Sequence, residues 1–74
     1  MMNLDELIKE KFGSIDKLLE VTETTISRSY LYQIVAGEKV NVTMSVMEEL
    51  QRILELPSLD DVKEAIKNVN KEVQ

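Results

Sequence analysis

Only two glycines and one proline interrupt the 74 residues, and each stands where a run of helically spaced apolar residues ends. Glycine adopts left-handed backbone cheaply and so ends helices, while proline disfavours the α conformation in the residue before it. Gly13, Gly37 and Pro57 therefore cut the chain into short helices, and capping residues mark where each begins. Asn3 precedes Leu4, Leu7, Ile8 and Phe12 on one helical face, and Glu6 completes a capping-box pattern. Ser14 caps a second helix whose apolar face is Ile15, Leu18, Leu19 and Val21. Thr22-Glu23-Thr24-Thr25 breaks the period, because threonine side chains offer the backbone hydrogen bonds that favour turns and caps. A third helix, capped by Thr25 or Ser27, turns Tyr30, Leu31, Ile34 and Val35 inward. Residues 38–42 read as a loop, in which Val40-Asn41-Val42 alternates too briefly to be more than extended chain. Thr43 caps a fourth helix carrying Met44, Met47, Leu50, Ile53 and Leu54. Ser58 caps a fifth, with Asp60 and Asp61 in its first turn and Lys63, Lys67 and Lys71 later, as the helix dipole prefers. The expected architecture is all-α, five short helices joined by tight turns.

A chain of this length makes one domain and buries only ~60% of the surface its unfolded form exposes. With 43% hydrophobic residues it has enough aliphatics to fold. Nine Lys and Arg stand against fourteen Asp and Glu, a net charge of −5, so any basic patch must be local. The sequence has no Cys, hence no disulfide framework, thiolate zinc site or thiol nucleophile, and no His, the usual general base and metal ligand. Glu48-Glu49 and Asp60-Asp61 have no partner base or metal constellation and read as surface and helix-start acids. No enzyme, cofactor or metal is expected. No apolar run approaches the ~18 residues of a membrane span. Asp5 and Glu6 stand where a signal peptide would carry basic residues. The expectation is a soluble, cytoplasmic protein with no membrane partner.

The informative stretch runs from Thr25 to Leu56. Ile26-Ser27-Arg28-Ser29-Tyr30-Leu31-Tyr32-Gln33-Ile34 leads into Val35-Ala36-Gly37-Glu38-Lys39, then into Thr43-Met44 and an amphipathic helix. This resembles the Cro/lambda-repressor type of helix-turn-helix, also called the xenobiotic-response-element family. That family commonly shows a small aliphatic, Ser, Arg or Lys, Ser or Thr, an aromatic and Leu, then a Gly-Lys-like helix end. The likeness covers roughly Leu4 to Leu56 and is strongest over Ile26–Lys39. It implies a lambda-repressor-like domain over residues 1–56 with a recognition helix at about 27–36, and an added C-terminal helix at 58–74. Two departures stand out. The segment between Ser14 and Ser27 is slightly longer than the family's, with Thr22–Thr25 in place of the usual turn glycine. Ile15 stands where the family often has a phosphate-gripping Gln.

The residues themselves fit such a role. With Tyr30, Leu31, Ile34 and Val35 facing in, Arg28, Ser29, Tyr32 and Gln33 are left outside. Arg pairs bidentately with guanine, Gln with adenine, and Ser with either. By the resemblance, Arg28, Ser29 and Gln33 occupy the base-reading positions. Ser27 caps the helix and reaches a phosphate, Lys39 is placed for a phosphate too, and Lys17 is a further DNA-binding candidate. From Thr24 to Val46 two cations face one acid, a net of +1, so few counterions would be released and the salt dependence should be shallow unless a dimer doubles the contacts. Leu59, Val62, Ile66, Val69 and Val73 follow a 3-4-3-4 spacing, a stripe that either pairs with its twin or folds back on the domain.

The expected function is a small Cro-like repressor of phage, mobile-element or chromosomal origin. It would bind double-stranded DNA, a near-palindromic operator, as a homodimer with half-sites ~34 Å apart. The rival is a protein-interaction module on the same fold, antirepressor or antitoxin-like, that docks a protein partner through the last helix or a methionine-bearing face. Local charge separates them. DNA binding calls for a positive strip across Lys17, Arg28 and Lys39, whereas partner binding calls for a contiguous exposed apolar patch.

Overall fold

The structure is a computed structural model that describes residues 2–38 and 41–73, with side chains up to residue 69. It contains five helices and, among the described residues, no strand: α1 (Leu4–Phe12), α2 (Ile15–Val21), α3 (Arg28–Val35), α4 (Met44–Leu54) and α5 (Leu59–Val73). No described helix is long and apolar enough to cross a membrane.

The starts of four helices follow the chemistry of their caps. The Asn3 side chain accepts the Glu6 N–H at 2.8 Å, and the Glu6 carboxylate accepts the Asn3 N–H at 3.0 Å, a complete capping box. Ser14, Ser27 and Thr43 accept the N–H of Lys17, Tyr30 and Val46 in the same manner. Of the two candidates for α3, Ser27 is the cap. At Ser58 the hydroxyl instead donates to the Asp61 carboxylate at 3.3 Å.

Three helices end through positive φ, two on glycine and one on a substitute for it. Gly13 closes α1 at φ 93°, and Gly37 closes α3 at φ 77°. Past α3, Gly37 N–H donates to Ile34 and Glu38 N–H to Gln33, so the last carbonyls are satisfied by a doubly bonded reverse turn. The end of α4 makes the same turn with Glu55 in the left-handed position, at φ 54° and ψ 42°. Its carboxylate pairs with Lys11 of α1, which holds Glu55 below the ordinary carboxylate range by hydrogen bond and charge. Gly13→Ala tests the backbone requirement alone, since nothing lies within 4 Å of the added methyl. We expect it to lose ~1–2 kcal/mol, because a side chain strains this conformation whatever the space. A urea midpoint equal to the parent's would refute the claim.

The core runs through all five helices, and Leu4, Leu18, Leu31, Leu50 and Val62 are fully buried. α5 packs against α1, α3 and α4, while α1 also contacts α2 and α4, and α2 contacts α3. This decides the alternative left open for the last helix. Val62, Ile66 and Val69 are buried in their own domain together with Ala65, and Leu59 is half-buried. The stripe is therefore spent within the monomer, and a dimer seam on it would require α5 to leave the core. The side chain of Val73 lies outside the described residues. Two other expectations are corrected. Val21 is 55% exposed and Met44 52% exposed, because each sits at the terminus of its helix, beyond the packed turns.

Candidate nucleic-acid interface

α3 shows the two faces that helical spacing predicts. Leu31 and Ile34 are buried, and Tyr30 and Val35 pack partly against the core. Ser27, Arg28, Ser29, Tyr32 and Gln33 are all exposed. The segment that presents them carries no glycine, and side chains order it instead. The Thr22 hydroxyl donates to the Leu18 carbonyl at 2.7 Å, and Ile26 N–H donates to the Thr24 hydroxyl at 3.2 Å. Arg52 of α4 reaches across to donate to the Glu23 carbonyl at 3.0 Å and also pairs with Glu49. Thus threonines and one arginine do the work expected of a turn glycine, and Ile26 is buried at the foot of α3.

Electrostatics alter the expected strip. Arg28 is engaged by Asp16 of α2, with Nε 2.8 Å from one carboxylate oxygen and Nη2 donating to the other at 3.3 Å. Its guanidinium also lies over the Tyr32 ring, 5.4 Å from the centroid. Tyr32 first, then Asp16, favour the charged form and raise Arg28 above its ordinary value. Lys17 lies 3.7 Å from Glu20. Lys39 lies outside the described residues. The two described cations of the strip are thus each matched by a carboxylate of α2, and no run of unpaired positive charge links them.

Sequence reading missed Asp16 and Arg52. Asp16 is twelve residues from its partner, and no periodicity relates them. Arg52 carried only a local signal, Glu49 three residues before it, which says nothing of the contact with Glu23. Among the described residues, the exposed large apolar side chains, Met2, Val21, Tyr32 and Met44, come from four separate segments. Among the described residues, no three carboxylates converge as a metal site would need. No family model, curated protein or solved structure matches this chain.

Proposed function

We propose that this protein is a small, sequence-specific regulator that binds double-stranded DNA, a Cro-like repressor of the helix-turn-helix type, with α3 in the major groove. The observation that supports the reading is the division of α3: hydrogen-bonding side chains at Arg28, Ser29, Tyr32 and Gln33 lie outside, above a buried Leu31 and Ile34. A recognition helix needs both, one face to dock on its domain and one to reach base edges. The exposed pair with Asp16 is a weak obstacle, because exposed ion pairs contribute only ~0–1 kcal/mol. Repression would follow from occupying a promoter, without catalysis. Such a regulator works in the cytoplasm, a reducing compartment that suits a cysteine-free chain. A palindromic operator requires a homodimer, and its interface would use surfaces other than the buried stripe of α5.

Selection from a random duplex pool, followed by anisotropy titration across salt, tests the reading. An enriched inverted repeat is expected, with affinity that falls as salt rises. Arg28→Ala should lose ~1–3 kcal/mol of affinity for that repeat and relax preference at one base pair. Unchanged binding by a folded Arg28→Ala variant would remove Arg28 from the reading surface.

A second reading, a protein-interaction module, draws on two observations. The described cations of the expected strip are paired, and a groove of about 650 Å³ beside α5 is lined by Val42, Met47 and Ile66 together with Asp60, Lys63, Glu64 and Lys67. Failure of the folded protein to enrich any duplex would favour it.

A further inference from the structure

Arg28 carries five N–H donors in one rigid plane, and Asp16 takes two of them. The carboxylate sits against the side of the guanidinium that bears Nε and Nη2. A planar guanidinium has a second parallel pair on its end, one N–H from Nη1 and one from Nη2, and this pair points away from the carboxylate. The ring of Tyr32, one turn along α3, lies beneath the group with its centroid 5.4 Å away. The side chains of Arg28 and Asp16 are 65% and 58% exposed, so the arrangement is set at the surface of the domain.

We infer that Asp16 is a specificity-determining positioning residue, which aims the end pair of Arg28 at the O6 and N7 acceptors of a guanine. The inference rests on the DNA-binding reading above. Guanine presents two adjacent acceptors in the major groove and is the base that a bidentate arginine selects. An arginine held by nothing also satisfies itself on a phosphate, which carries no sequence information. Held by Asp16 and by the Tyr32 ring, Arg28 is biased toward this one direction. The negative charge of Asp16 also opposes phosphate approach, so it lowers affinity for every duplex while raising discrimination. A clip that only joined α2 to α3 would act on stability alone, and an exposed pair does little of that.

Asp16→Ala and Asp16→Glu, with Arg28→Ala as the reference, separate these roles. Binding is measured by anisotropy on the duplex selected by the parent, on its single-base variants and on a scrambled duplex. The parent should prefer guanine at one position by roughly 5- to 150-fold. Asp16→Ala should reduce that preference to within a few-fold while binding the scrambled duplex as tightly or more tightly. Asp16→Glu should restore part of the preference. Retention of the full preference in Asp16→Ala, with Arg28→Ala losing it, overturns the positioning role and leaves the DNA-binding reading standing. A parent protein that selects no sequence overturns both.

Discussion

Val62→Asp should leave the chain unfolded at room temperature. Val62 is fully buried where α5 meets the rest of the domain. A carboxylate there would stand beside Asp60 and Asp61 in the same turn. An uncompensated buried charge costs several kcal/mol. A 74-residue domain has only ~4–11 kcal/mol in all, so one such residue removes most of its stability. The variant discriminates between two uses of the same stripe. If the stripe were a seam between two copies, the charge would separate them and leave folded monomers. Far-UV circular dichroism with sedimentation velocity reads the difference, and a helical, cooperatively melting monomer would contradict the burial described above.

The next largest effect is expected at Leu31, which is fully buried and anchors α3. Leu31→Ala should cost ~2–5 kcal/mol, the transfer of the lost methyls plus the cavity they leave. For a domain of this size that lowers Tm by ~10 °C or more. Gln33→Ala, two residues on and exposed, should stay within ~0.5 kcal/mol of the parent. The contrast divides α3 into a face that holds the fold and a face that is free to read a ligand. A Leu31→Ala variant with the parent's urea midpoint would dissolve that division.

Helix boundaries were legible because capping is local chemistry. Asn3, Ser14, Ser27 and Thr43 announce their helices within three residues, and each makes the bond its position implies. The close of α4 was legible only in part. Pro57 marks its neighbourhood, but the left-handed residue is Glu55, a type that gives no warning of that conformation. The interior of α5 was legible as a stripe but not as to its partner, since a 3-4 spacing is the same whether the apolar surface meets its own core or a twin. The candidate interface divides likewise. The outward set on α3 follows from periodicity, whereas the pairing of Arg28 with Asp16 depends on how α2 and α3 cross, which only the folded chain settles.

That α5 closes the core against α1, α3 and α4 sets a constraint on the nascent chain. At ~5–20 residues per second, the end of α5 is synthesised roughly one to four seconds after the end of α4. During that interval α1, α3 and α4 lack the helix that packs on them in the finished domain. The pairing of α1 with α5 joins segments at opposite ends of the fold, and contacts so distant in sequence form slowly. The packing of α1 is therefore completed only after α5 has been made.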